Sequence, residues 1–171
     1  SQSTNQPMAT QAEWLETFSK LQQLSNELGV GDCFNYNRGR EIHTAFTLGL
    51  TVSDTLSGAD AYDECGGCEL KSTIGSLKAT YNGISVQSNW DEQVKYIIND
   101  KIGKYHNHYI VRYDGAEIAE AYRLSSDDVL MILLPKIERQ FNSPRGKDPR
   151  IGVTITSKEI KTYGELVYES N

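Results

Sequence analysis

A chain of 171 residues with 38% hydrophobic and 23% charged residues has the make-up of one globular domain with a single core. No apolar run approaches the roughly 18 residues of a membrane span, so no membrane partner is expected. A net charge of −6 argues against a surface that is basic all over, but it leaves room for a basic cleft: Arg38 and Arg40 form one local cluster, and Arg145, Lys147 and Arg150 another.

Ser1 to Thr10 is polar and lacks the basic start and apolar stretch of a secretory leader, so residues 1–10 read as a loose tail before a single domain, 11–171. Three cysteines cannot all pair internally, and without a leader they read as reduced thiols in a cytoplasm. Thr10 and Glu13 make a capping box for a first helix that Gly29 can close. Along it Trp14, Phe18, Leu21, Leu24 and Leu28 recur at three- and four-residue steps, a stripe suited to a core or a dimer contact. Asn37 caps a second helix running to about Thr47, with Ile42, Ala45 and Phe46 on its apolar side. Leu48 to Val52 leads to a loop. Asn89 and Glu92 open a third helix that ends at Gly103, with Val94, Ile97 and Ile98 inward. The strands Tyr109–Tyr113 and Ala116–Tyr122 flank Asp114-Gly115, a hairpin signal. Ser125 and Asp128 open a fourth helix carrying Leu130, Leu133 and Leu134, which Pro135 kinks or ends. A basic loop, Asn142 to Arg150, feeds a last strand, Ile151–Ile155. The order α-α-β-β-α-β-β-α-β predicts an α+β domain, helices around a mixed, mostly antiparallel sheet.

The segment Gly58 to Ser72 carries the chemistry. Gly66-Gly67 suits a two-residue hairpin turn, which pairs Cys65 with Cys68 and Asp60 with Thr73. Alternation then puts Asp60, Glu69 and Lys71 on one face and Asp63 on the other. Hydrolysis of a phosphodiester needs a hard cation held by oxygen ligands, which Asp60 and Glu69 can supply, and Lys71 can stabilise developing negative charge. In that register the two carboxylates stand roughly 13 Å apart along the strand, at ~3.3 Å per residue, too far to share a metal. The strands must therefore diverge or bulge so that Asp60 comes back toward Glu69, with a loop wider than two residues. On the residues alone, a hairpin charge cluster remains open, and a second Glu-x-Lys, Glu159-Ile160-Lys161, reads as a solvated pair on a short helix.

Three blocks, in order, resemble the PvuII family of restriction endonucleases, in the PD-(D/E)XK superfamily. They are Gly49-Leu-Thr-Val52 with Gly58-x-Asp60-Ala-x-Asp63 and Glu69-Leu-Lys-Ser72; then Tyr113-x-Gly115-x-x-Ile118-x-Glu120-Ala-Tyr-Arg-Leu124; then, more weakly, Asp148-Pro-Arg-Ile151. The resemblance implies a restriction-endonuclease-like fold and a prokaryotic, homodimeric type II enzyme. Such an enzyme cuts double-stranded DNA at a short palindromic site with Mg²⁺ and works beside a cognate DNA methyltransferase. By the same resemblance Asp60, Glu69 and the Leu70 carbonyl hold the metal, Lys71 is catalytic, Tyr105 approaches the scissile phosphate, and Asn37 approaches the minor groove. The regions it implies are 11–36 for dimerisation, 37–124 for catalysis and 125–171 for recognition.

The family's base-reading histidines are absent from the corresponding region, about Ser85 to Trp90. Gln87, Ser88, Asn89, Lys147, Asp148 and Arg150 are the expected readers, with Arg38 as a further DNA contact. Rival readings are a structure-specific nuclease such as a junction resolvase, a DNA-binding protein without cleavage, and a zinc or redox module using Cys65-Gly-Gly-Cys68. His106 and His108 read as surface histidines, His43 as a packed or half-exposed helix residue, and Glu41 as a surface residue or a support to the metal site.

Overall fold

The computed structural model describes residues 8–53, 58–143, 146 and 149–171, so Arg145, Lys147 and Asp148 lie outside the described residues. Two helices lead, α1 (Gln11–Glu27) and α2 (Arg38–Leu48), followed by strands β1 (Thr51–Val52), β2 (Ala61–Asp63), β3 (Gly66–Ile74) and β4 (Ala79–Ile84). Then come α3 (Trp90–Tyr96), continued by a π-helical turn over Ile97–Lys101, and the hairpin β5 (Asn107–Asp114) and β6 (Glu117–Ser125). The chain ends with α4 (Ser126–Phe141), β7 (Ile151–Ile155), α5 (Ser157–Tyr163) and β8 (Glu165–Glu169).

Six strands form a sheet in the order β1-β2-β3-β5-β6-β8, parallel at β3–β5 and antiparallel elsewhere. β4 leaves this sheet and pairs antiparallel with β7 in a second, two-stranded sheet. One core packs α4 and the π turn over the strands through Ile97, Ile110, Leu124, Leu133, Ile137 and Ile155. A second, with Ala45, Ala61, Cys68, Leu70, Val111 and Tyr113, packs α2 on the opposite face. This is the expected α+β architecture.

Local physics explains where elements begin and end. Thr10 and Glu13 form the reciprocal capping box, and Gly29 follows the helix at φ 74°, a conformation that favours glycine. The α1 stripe does not enter the core: Trp14, Phe18, Leu21, Leu24 and Leu28 are between 41% and 64% exposed. Asn37 occupies the cap position of α2 without a side-chain cap bond; its amide donates to Ser72 Oγ at 3.2 Å. Phe46 is exposed rather than buried with Ile42 and Ala45. Pro135 neither ends nor interrupts α4, which continues to Phe141. Ile98, at the start of the π turn, is exposed, whereas Ile97 beside it is fully buried. The β5–β6 loop is Gly115-Ala116, one residue later than Asp114-Gly115, with Gly115 supplying a φ of 63° at the first loop position.

The largest departure lies in the β2–β3 hairpin. Asp63 pairs with Gly66 and Ala61 with Cys68, so the loop is Glu64-Cys65 and not Gly66-Gly67. Asp63 makes that turn by accepting the N–H groups of Cys65 (2.9 Å) and Gly66 (3.2 Å). The glycines serve close packing instead: a Cβ on Gly66 would lie 2.5 Å from the His106 ring, and one on Gly67 2.9 Å from Ala59 Cβ. Because the register moves by an even number, Asp60, Glu69 and Lys71 keep their common face. Asp60 stands just before the first paired residue of β2, its N–H bonded to the Cys68 carbonyl at 3.0 Å, next to Glu69. A wide loop is not needed.

Candidate active site

β3 runs from this turn through the middle of the sheet and displays Glu69 and Lys71, two residues apart, on one side. Lys71 Nζ lies 3.4 Å from Glu69 Oε1. Asp60 Oδ2 accepts the Leu70 N–H at 2.9 Å. In an extended strand the N–H and C=O of one residue point to the same edge, so the Leu70 carbonyl is directed to the Asp60 side. Two carboxylates and one carbonyl are therefore brought to the edge where β2 stops pairing with β3.

This edge is electrostatically strained. Burial pushes the Asp60 carboxyl up, against the pull of the Leu70 N–H, Lys71, Arg38 and Lys104. Glu69 is raised by burial and by Asp60, with Lys71 and Tyr105 opposing. Glu41, on α2, is raised to about 7, first by burial and then by Asp60, with Glu69 adding and Arg38 opposing. Three acidic groups thus repel across one half-buried space that Lys71 does not neutralise. Among the described residues, no three His, Cys, Asp or Glu side chains close into a metal cage. Two carboxylates and a carbonyl fit a hard cation that keeps water and substrate oxygens in its remaining positions, as Mg²⁺ does.

Beside the acidic pair lies a cleft of about 140 Å³, lined by Glu69, Lys71, Tyr81, Ile102, Tyr105 and His108 among others. Tyr105 donates to the Gly58 carbonyl at 3.3 Å, and burial with Glu69 raises its hydroxyl well above the usual phenol range. His108 is fully buried and is no surface histidine; burial brings its imidazole down to about 4. His106 is exposed, as expected. Lys101 and Lys104 add positive charge to this end of the site, which the sequence pattern did not single out.

Other candidates fall away from the cleft. Arg38 is buried, donating to the Val30 and Ser53 carbonyls and pairing with Glu41 at 3.6 Å, so its guanidinium ties α2 to two loops rather than standing at the surface as a DNA contact would. Asn89 Oδ1 caps α3 through the Glu92 N–H and Gln87 bonds the Ser85 carbonyl, while Ser88 and Asn89 are both exposed. Arg150 stands by the exposed groove of the β4–β7 sheet, next to Asn82 and Gly83. Asp63 lies on the opposite face, as alternation requires, where it accepts from Asn107 (2.7 Å) and Tyr109 (2.8 Å). All three cysteines are free; burial raises the Cys68 thiol to about 12, which removes it from thiolate chemistry. Glu159 is not merely solvated: it caps α5 with Thr156 and pairs with Lys136 at 2.6 Å. His43 is an exposed helix residue whose Nδ1 lies 3.0 Å from the Tyr113 hydroxyl.

A mixed sheet that presents an acidic pair and a lysine from one hairpin, with helices on both faces, defines a restriction-endonuclease-like nuclease. The model of the restriction endonuclease PvuII family matches residues 7–168, and the chain belongs to that family. It is a type II site-specific deoxyribonuclease acting on DNA, in a family that depends on a divalent metal. The readings as a non-cleaving binder, a junction resolvase or a zinc module give way to this one. No curated protein matches the chain. No helix among the described residues is long and apolar enough to cross a membrane.

Proposed function

We propose that Asp60, Glu69 and the Leu70 carbonyl hold Mg²⁺ and that Lys71 serves the same centre, in an enzyme that cuts a short palindromic site as a homodimer. The observation that carries this reading is the bond from the Leu70 N–H to Asp60 Oδ2, which with the Asp60 N–H on the Cys68 carbonyl holds Asp60 against β3 beside Glu69 and Leu70. When bound, the cation polarises the phosphoryl oxygen and favours attack by water. The protein's part is positional. Asp60 is fixed by the Leu70 N–H, Lys71 stands beside Glu69 to meet charge developing on the phosphate, and Tyr105 flanks the same cleft near the scissile group. Glu41 stands behind the pair and adds negative charge that favours a cation.

Sequence reading falls to the β4–β7 sheet and the loop before it. Asn82 and Arg150 border one exposed groove there, and amide and guanidinium groups suit adenine and guanine edges. Lys147, Asp148 and Ser88 remain readers in this proposal, and Asn37, beside Ser72, remains the minor-groove contact. The exposed α1 stripe supports the dimer: Trp14 and Phe18 stack at 5.2 Å, Phe18 and Phe34 at 3.9 Å, and this aromatic ledge has no partner within the monomer's core. The regions 11–36, 37–124 and 125–171 then correspond to dimerisation, catalysis and recognition, with β8 returning to the central sheet and β4 joining the recognition part. In the cytoplasm of a prokaryote such an enzyme requires a methyltransferase that protects the host's own sites.

The test is digestion of unmethylated phage DNA with Mg²⁺ or EDTA, beside Lys71→Ala. Discrete Mg²⁺-dependent fragments from the wild type alone support the reading. Undiminished cutting by Lys71→Ala, or cutting in EDTA, sinks it.

A further inference from the structure

Lys71 leaves the central sheet, yet the surface under its ammonium belongs to the other sheet. Nζ lies 4.6 Å from the centroid of the Tyr81 ring, on β4. Tyr81 is buried, and its hydroxyl lies 2.9 Å from His108 Nδ1. The other ring nitrogen, Nε2, lies 3.2 Å from the Ile102 carbonyl and 3.0 Å from Ser126 Oγ. A carbonyl can only accept, so Nε2 carries the hydrogen and Nδ1 is left to accept from the Tyr81 hydroxyl. Ile102 is itself delivered by the π turn, its N–H returning to the Ile97 carbonyl at 2.8 Å. Ser126 passes its own hydrogen to the Tyr105 carbonyl. The directions are thus consistent throughout: the Tyr81 hydroxyl donates to Nδ1, the Nε2 hydrogen is shared between the Ile102 carbonyl and Ser126 Oγ, and the chain ends in a ring face under a cation.

We propose that Tyr81 and His108 are positioning residues for Lys71: the imidazole fixes the phenol, and the face of the phenol holds the ammonium beside the acidic pair. Lysine needs such a support because it is a point charge on a flexible four-carbon stem, and the ion pair with Glu69 alone lets it follow the carboxylate. The inference rests on Lys71 acting in cleavage. It adds that the lysine is held from both sheets, so a shift of the β4–β7 sheet moves the charge.

The experiment compares Tyr81→Phe and Tyr81→Leu with the wild type, each also in a Lys71→Ala background. Single-turnover cleavage is measured with the NMR signal of the Lys71 ε-methylene in lysine-labelled protein, assigned by its loss in Lys71→Ala. The signal should show a ring-current shift in the wild type, part of it in Tyr81→Phe and none in Tyr81→Leu. Cleavage should fall about ten-fold in Tyr81→Leu and less in Tyr81→Phe, the size expected of one cation–π contact. In the Lys71→Ala background the same changes should cost nothing further. An equal further loss there means a packing role and overturns the proposal, as does a lysine signal that ignores both variants. If Lys71→Ala cleaves normally, the lysine's role and the proposal fall together; if it is inactive while both Tyr81 variants cleave normally, only the proposal falls. Tyr81→Phe keeps the core volume and decides through the lysine signal should Tyr81→Leu not fold: a signal with the full wild-type shift overturns the relay.

Discussion

Asp60 and Asp63 stand three residues apart at one hairpin, and the protein treats them oppositely. Asp63 accepts from the side chains of Asn107 and Tyr109 and from two turn N–H groups; burial pushes its carboxyl up, but these donors outweigh it and hold it at about 2. Asp60 is bonded by the Leu70 N–H and faces Glu69 and Glu41, and burial leaves its carboxyl raised. A carboxylate fully served by the protein's own donors is part of the fold. One kept short of them, among like charges, is what the proposed cation site needs.

The largest effect expected from this contrast is on cleavage. Asp60→Ala or Glu69→Ala should lower single-turnover cleavage about a thousand-fold, the order of several kcal/mol of transition-state charge stabilisation. Asp63→Ala should stay within a few-fold once folded. Equal losses at Asp60 and Asp63 in quench-flow or gel assays would erase the distinction. Metal removal sharpens it. Saturating Mg²⁺ at about a hundred times its Kd should stabilise the wild type by about 3 kcal/mol, roughly 5–10 °C in Tm. The gain should vanish in Asp60→Asn with Glu69→Gln and persist in Asp63→Asn, as read by melting with Mg²⁺ or EDTA.

Much of this was legible in the residues, for identifiable reasons. Thr10 with Glu13, the stripe from Trp14 to Leu28, and the alternation of Ile151, Val153 and Ile155 each carry one period and one cap, so their elements appear where the pattern puts them. The acidic pair kept its face because parity survives any even shift of register. The register itself was hidden, because Gly66-Gly67 offers a stronger turn signal than Glu64-Cys65. The actual turn depends on Asp63 and the packing of His106, neither of which is local to the glycines. β8 is a half-exposed edge strand with no clean alternation, and β4 carries Asn82-Gly83, which reads as a turn rather than a strand. His108 and Glu41 gain their character from β4, the π turn and α2, contacts no local pattern records.

Glu41 gives an effect of intermediate size with a definite sign. Its folded value is raised from 4.5 to about 7, so the stability it contributes is fully present below about pH 4.5 and is lost as pH rises through about 7. In EDTA, Glu41→Gln should therefore be more stable than the wild type at pH 8, by up to about 3 kcal/mol, and equal to it near pH 4.5. Urea denaturation at the two pH values reads this directly. A Glu41→Gln protein that is less stable at pH 8 would mean that the acidic cluster is not under strain.

Asp63→Asn is the same kind of substitution and should give the opposite sign and the smallest effect. Its folded value lies below the ordinary 3.8, so the stability it contributes is present above about pH 4 and is lost as pH falls through about 2. At pH 7 the wild type should exceed Asp63→Asn by about 1–2 kcal/mol, a figure already reduced for solvent screening of a half-buried group. The gap should close as the pH is taken from 4 towards 2. If the asparagine variant matches the wild type at pH 7, then Asn107, Tyr109 and the turn N–H groups are indifferent to the charge. The hairpin register that brings Asp60 up to β3 beside Glu69 and Leu70 would then have to be held by the packing of Gly66 and Gly67 alone.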